Sequence, residues 1–382
     1  MMKKVLSLIL ALALAVGCTA CQSNENSSTG GVIDQANAAQ ENQPSQTGSD
    51  LPSITWKMVS TWGSGNVHYQ CDLRFSELVS YLTGGKFKIQ NYAEGELCSA
   101  SQCFDYVEDG TVQAAGDCAA YWVGRNSAFE LLNDTVDDFT GMDYFLWINE
   151  AGGLECFQEL YGQFNMTYFP ICCSWSESGL RSSVPITSLK DLQNLKIRMG
   201  SVLPGKALQK LGVSTVSVSG SELYESMQRG VIDACEFSNP YADDSLKLQE
   251  VAKYWCVPCW FQSAGILGVM INKDAWNALP EEYQEAVEMA AYMTQAEKMA
   301  EYFWNDAATA TKMIEQEGVT VTSMDDESME KVLAAYREVL AEEAKANPDV
   351  EMIMNSMAAY REKVDMYRGM LGKYGFGFVK EQ

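Results

Sequence analysis

An α/β fold of two similar lobes, finished by long C-terminal helices, is what this sequence predicts, and three observations predict it. A phrase of helix, glycine and strand is written twice. One copy carries Phe104 and Val107, reaches Gly110 and runs into Thr-Val-Gln-Ala-Ala; the other carries Leu223 and Met227, reaches Gly230 and runs into Val-Ile-Asp-Ala-Cys-Glu-Phe. Each glycine stands just past a helix, where a left-handed backbone costs little without a Cβ. Short strand patterns alternate with helical ones, which argues for parallel strands joined by crossover helices. The last third keeps an apolar face at helical spacing.

The chain begins with a targeting pattern. Lys3 and Lys4 precede an apolar run from Val5 to Val16, too short for a convincing membrane span and suited to a signal peptide. A small residue before a cysteine and a polar tail after it resemble a bacterial lipoprotein signal. Cys18, with Leu14, Ala15, Val16 and Gly17 ahead of it, is the expected lipidation site, and Cys21 is the alternative. Residues 1–21 are therefore read as the signal region, and 22–50, rich in Ser, Asn, Gln, Gly and Thr, as an unfolded polar tether. The expected location is the outer face of the cytoplasmic membrane, with contact to that membrane only through a lipid anchor.

Residues 51–382 are read as the folded domain. A length of 382 residues with 47% hydrophobic content supports a full core. The net charge of −24 repels nucleic acid and anionic headgroups, so neither is an expected partner. It still permits an anionic ligand, because a cleft arginine acts locally and a distant field is screened within about 8 Å. Ten cysteines follow Cys21, an even number that would suit disulfides in an oxidising compartment, but they lie mostly inside apolar stretches and are expected as buried thiols, as an anaerobic host would keep them. Cys256-Val-Pro-Cys259 has redox-motif spacing, but it is expected on a strand.

The first lobe, approximately 54–170, should open with a strand over 55–60 and a helix over 68–82. A strand over 86–92 follows, then a helix ending near Asp109 and a strand through Val112. Phe164 to Trp175 and Ala264 to Asn272 read as strands that cross between lobes and form a hinge. The second lobe, approximately 171–265, should hold a short helix capped by Ser188 and a strand over 195–199. A helix over 203–211, a strand over 214–218, the Leu223 helix and a strand carrying Ile232 complete it. Residues 266–372 are expected as hinge strands and long helices, the first opened by Pro280 and the second broken from the third by Pro348. Their Met-rich stripe reads as core packing, with a homodimer surface as the alternative.

Leu195-Lys-Ile-Arg198-Met and Gly230-Val-Ile-Asp-Ala-Cys-Glu236-Phe237-Ser-Asn-Pro-Tyr241 resemble the solute-binding proteins of tripartite ATP-independent periplasmic (TRAP) transporters. Gly84-Gly85-Lys86, Tyr92-Ala-Glu-Gly-Glu-Leu, Ser188-Leu-Lys-Asp-Leu, Ala252-Lys-Tyr-Trp and Val269-Met-Ile-Asn-Lys follow the same order and spacing, and the likeness runs from about Ile54 to Arg368. It implies a two-lobe periplasmic-binding-protein-like fold with crossover strands at a hinge. It also implies a non-enzymatic receptor that hands a small organic acid to the membrane permease subunits. The branch it is most similar to binds 2-oxo or 2-hydroxy acids with a metal ion.

The resemblance implies that Arg198 takes the ligand carboxylate, a role that suits its permanent charge and planar fork. It implies Glu236, the carbonyl of Phe237, Glu177 and Gln262 as ligands of Ca²⁺ or Na⁺, whose hard-cation chemistry suits oxygen donors. The family commonly has Trp where Phe237 stands, Gln where Glu177 stands and Glu where Gln262 stands, so the last two exchanges could preserve the site's charge. Tyr121, Trp122, Trp62, Trp175 and Tyr241 are the expected aromatic walls, beside Glu177 as a further contact to the ligand. The plain alternatives are Arg198 in a surface ion pair, Glu177 in a solvated loop and the aromatics in the core. His68 is read as a helix-start residue. Competing functions are a ligand-presenting lipoprotein for a sensor and a secreted metal-assisted hydrolase with Glu177 or Glu236 as general base.

Overall fold

In the computed structural model, residues 51–133 and 139–371 are described. The signal region with Cys18 and Cys21, and the tether, lie outside the described residues. Within the compact unit Leu51–Gln382, the chain opens with β1 (Ile54–Ser60), α1 (Tyr69–Leu82), β2 (Phe87–Tyr92), α2 (Cys103–Glu108) and β3 (Ala114–Cys118). Helices α3 (Gly141–Glu150) and α4 (Gly153–Gly162) lead to β4 (Met166–Cys173) and β5 (Leu180–Ser182). Then come α5 (Leu189–Gln193), β6 (Lys196–Arg198), α6 (Val202–Lys210), β7 (Ser214–Val216), α7 (Leu223–Gln228) and β8 (Ala234–Cys235). Short helices α8 (Pro240–Ser245) and α9 (Leu248–Val251) precede β9 (Tyr254–Cys256), β10 (Ile266–Asn272) and α10 (Lys273–Asn277). The 35-residue α11 (Glu281–Glu315), β11 (Thr320–Thr322), α12 (Asp326–Ala346) and α13 (Pro348–Leu371) finish it.

The strands form two sheets, ordered β2-β1-β3-β10-β4 and β11-β9-β5-β8-β6-β7. Read from its other edge, the second sheet repeats the first: β7-β6-β8 matches β2-β1-β3, and all four neighbouring pairs in these trios are parallel. In each sheet the next strand runs antiparallel, β10 against β3 and β5 against β8. The repeated phrase therefore occupies the same place in both lobes. Gly110 and Gly230, at φ 76° and 66°, make the same left-handed exit from α2 and α7.

Three expectations need correcting here. The strands of the repeat do not include Val112 or Ile232. The amide of Val112 donates back to Tyr106 O at 3.0 Å and that of Ile232 to Ser226 O at 3.4 Å, so both are buried anchors under the preceding helix. Nor do β4 and β10 themselves cross between lobes: they pair with each other along the first sheet. The crossings are the segments 174–179 and 257–265, tied together by Ser174 N to Gly265 O at 2.8 Å and Glu177 N to Gln262 O at 3.1 Å. Likewise β9 stops at Cys256, leaving Cys259 outside a strand.

Local chemistry explains the helix starts. Thr140 and Ser188 form reciprocal capping boxes with Asp143 and Asp191, and Asn239 caps α8 with Pro240 at its first turn. The first-lobe core is aromatic, with Phe104 and Phe129 fully buried beside Tyr161; truncating such a ring costs about 3–5 kcal/mol. No disulfide joins the ten described cysteines, and nine of them are buried. No helix among the described residues is long and apolar enough to cross a membrane.

Candidate functional site

A cavity of ≈ 50 Å³ lies where the lobes face each other. The first lobe supplies Trp62, His68 and Tyr121, the second Arg198, Glu236 and Phe237, and the crossing segments Glu177 and Gln262. Both copies of the repeated phrase thus end at this cavity. β3 delivers Cys118, Ala120 and Tyr121 to it, and β8 delivers Glu236, Phe237 and Ser238.

Arg198 ends β6 and is 6% exposed. Its Nε donates to Val218 O at 3.0 Å, and its Nη1 to Glu236 O at 2.6 Å and Glu236 Oε1 at 2.9 Å. Nη2 has no partner among the described residues, so one edge of the fork remains available to a ligand. Burial alone would lower the guanidinium pKa, but the Glu236 carboxylate, with Tyr121 and Glu177, raises it. Gly200 makes this packing possible, since a Cβ there would sit 2.8 Å from Nη2.

Glu236 is 2% exposed. Its Oε1 accepts from Arg198 and from the Gly200 amide, while Oε2 has no partner among the described residues. Glu177 and Gln262 are also buried and meet through the backbone bond that ties the two crossings. The donors gathered here are carboxylate, amide and carbonyl oxygens, which is the chemistry a hard cation takes. Among the described residues, no group of three or more His, Cys, Asp and Glu side chains is placed to hold a metal. A cation would therefore rely on Gln262 and the Phe237 carbonyl beside the two glutamates.

The lobes also meet beside the cavity. Glu130, fully buried in the first lobe, accepts from Val202 N and Leu203 N, both at 3.1 Å, at the start of α6 in the second. Burial pushes its pKa up to about 8, against the pull of those two amides.

Three expected wall residues do not line the cavity. Trp122 donates its indole N–H to Asp117 and packs on Phe104 at 4.9 Å, inside the first-lobe core. Trp175 donates to Met299 O at 2.9 Å and packs on Phe303 at 4.9 Å. Tyr241 is fixed by its amide on Asp306 Oδ1 at 2.9 Å and by its ring against Tyr302. The last two anchor the crossing segment and α8 to the long helix α11. Conversely, His68 does more than start a helix. It occupies the N-cap of α1, makes no side-chain cap and turns its ring into the cavity. Its position directly after the first strand and its loop was the available signal. Asn133, Ser174 and Ser201 also line the space without any motif to mark them.

Comparison with known proteins agrees with this geometry. The family described as bacterial extracellular solute-binding protein, family 7 (DctP), matches residues 58–347. A monocarboxylate 2-oxoacid-binding periplasmic protein of Nostoc sp. is 27% identical over 314 residues, covering 82% of this chain and 86% of that one. A TRAP transporter solute-binding protein of Bordetella bronchiseptica, solved as a mixed-occupancy dimer with copurified calcium and picolinate in one active site and the other apo, superposes with a TM-score of 0.79 at 28% identity. That match covers 84% of this chain and 95% of the other. A TRAP periplasmic solute-binding protein of Pseudoalteromonas atlantica, solved with sodium and pyruvate, has a TM-score of 0.78 over 83% of this chain and 97% of its own. At 24% identity, that last likeness speaks to the fold.

Proposed function

The chain belongs to the bacterial extracellular solute-binding proteins of family 7, and we propose that its ligand is a small monocarboxylate of the 2-oxo or 2-hydroxy acid class, bound with a calcium ion. Proteins of this family are transport receptors rather than enzymes, and this one serves a TRAP permease. The observation that carries the ligand reading is a cavity of ≈ 50 Å³ lined by Arg198 and Glu236, whose Nη2 and Oε2 have no partner among the described residues. A water needs about 10–15 Å³ of such volume, so the space suits an acid of a few heavy atoms.

Charge balance favours one carboxylate and a divalent ion. Among the described lining residues, Arg198 against Glu177 and Glu236 leaves one net negative charge. A divalent cation and one monocarboxylate anion bring the enclosed site to neutrality, whereas Na⁺ would leave it negative. Unbalanced charge in a buried space is costly. Glu236, Glu177, Gln262 and the Phe237 carbonyl would hold the ion, which when bound supplies positive charge to the ligand's oxygens. The Nostoc relative's monocarboxylate 2-oxoacids and the Bordetella protein's calcium and picolinate support the same reading.

Lipidation at Cys18, or at Cys21, would tether the receptor near the permease, with the tether 22–50 giving it reach. Pairing through α13, which exposes Met366, Tyr367 and Met370, is the form a homodimer would take. Calorimetric titration of chelator-treated protein with pyruvate, lactate and larger 2-oxo acids, with and without Ca²⁺, tests the ligand reading. Calcium-dependent binding of at least one is expected; failure of all of them, with calcium present, would refute it.

A further inference from the structure

His68 carries a polar atom that no other described residue engages. It is the chain's one histidine, 4% exposed and part of the cavity wall. Its ring stacks on Tyr302 at 5.9 Å, meets Trp62 edge-on at 5.4 Å and lies 6.1 Å from Phe237 across the cleft. Nδ1 is 2.8 Å from the Tyr302 hydroxyl, which is 3.6 Å from Cys71 Sγ. Nε2 has no partner among the described residues. Burial lowers the imidazole pKa to about 3, so the ring is neutral and carries one N–H. A polar atom of a cavity-lining side chain that lacks a partner loses water when a ligand fills the cavity, and this costs free energy unless the ligand satisfies it.

We propose that His68 contacts the ligand and contributes to its selection: Nε2–H donates a hydrogen bond to an oxygen of the bound acid from the first lobe, while Arg198 acts from the second. The assignment rests on reading the cavity as a 2-oxo or 2-hydroxy acid site. An acid anion offers acceptors at its carboxylate and 2-oxo oxygens, so the hydrogen belongs on Nε2. Nδ1 then accepts from the Tyr302 hydroxyl, whose oxygen accepts from the Cys71 thiol. Tyr302 and Cys71 are positioning residues that select the tautomer. A fixed donor at this place also disfavours a 2-ammonium group, so a 2-oxo acid is preferred over the matching amino acid.

The single histidine makes the test direct. In protein labelled with ¹⁵N only at histidine, and free of a histidine tag, the imidazole should show the neutral Nε2–H form, and saturating pyruvate with Ca²⁺ should shift its Nε2–H resonance. By calorimetry, His68→Phe should weaken pyruvate binding about tenfold. His68→Gln, whose amide reaches the Nε2 position, should stay within about threefold of wild type, and His68→Asn, which reaches only the Nδ1 position, should follow the Phe variant. An imidazole signal unmoved at saturating pyruvate overturns the inference, as does a Phe variant that binds like wild type or a Gln variant as weak as Phe. Wild-type protein that binds neither pyruvate nor lactate with Ca²⁺ present refutes the reading of the cavity, and this inference with it. Binding with an unmoved imidazole refutes the His68 contact alone.

Discussion

Asp117 and Glu236 hold equivalent places in the two lobes and have opposite fates. Ser60 pairs with Gly116 in the first sheet, and Arg198 with Cys235 in the second; each carboxylate is the next residue along. In the first lobe Gly116 leaves room for the Asp72 carboxylate, only 2.1 Å from where a Cβ would stand. Asp117 is sealed beneath Trp122 and Tyr161, and burial pushes its pKa up to about 7. In the second lobe an arginine stands where the first has Ser60, and its charge makes a buried carboxylate tolerable at the cavity wall. One architecture thus yields a neutral, aromatic wall and a charged one. The difference between the copies, more than their likeness, makes the site.

The comparison breaks first at Arg198. Arg198→Ala should weaken pyruvate binding about 30-fold or more, since truncating one partner of a buried charge pair costs about 2–5 kcal/mol. Asp117→Asn should leave affinity within about threefold, because that side chain faces the core. Calorimetry on both variants checks the contrast, and equal losses would erase it.

Gly116→Ala comes next. Its Cβ would collide with Asp72, so denaturant unfolding should show a loss of about 1–3 kcal/mol, the usual cost of overpacking. Cys235→Ala, at the equivalent place, only shortens a buried thiol and should cost less. If the alanine at 116 is the better tolerated of the two, the close packing of α1 on β3 is wrong.

The pH dependence separates the lobes further. A carboxyl whose folded pKa is raised contributes its stability fully below its unfolded pKa and loses it as pH rises through the folded value. For Asp117 that window runs from its ordinary value, near 4, up to about 7. Thermal midpoints should therefore fall from pH 5 to pH 8, and Asp117→Asn should flatten the decline. A midpoint rising over that range would contradict the burial of this group in its neutral form.

The smallest expected effect is at Glu130, which joins the first lobe to the α6 amides. Glu130→Gln keeps one acceptor and the shape, so pyruvate affinity should drop only about three- to tenfold. No change would show that this contact does not bias the lobes toward closure.

Much of the architecture was legible because helix, glycine and strand recur in order, and Gly110 and Gly230 are needed where α2 and α7 end. Strand starts were less legible: Val112 and Ile232 are apolar and β-compatible, yet their amides bond back to the helix before them. The charged half of the site was legible because Arg198 and Glu236 sit inside a patterned stretch. The aromatic half was not. Trp122, Trp175 and Tyr241 have the right chemistry, but where their rings point is set by tertiary partners: Asp117 and Phe104 hold Trp122, Met299 holds Trp175, and Tyr302 meets Tyr241. His68 was hidden for the same reason, since its role depends on Tyr302 and Phe237, far along the chain.

The central claim, that the second copy's end holds the ligand's carboxylate and a cation, is tested most directly by a crystal structure with Ca²⁺ and pyruvate. The expected result is an ion about 2.3–2.6 Å from oxygens of Glu236, Glu177 and Phe237, with the pyruvate carboxylate on Arg198. Pyruvate bound away from Arg198, or an ion that leaves Glu236 untouched, would contradict it.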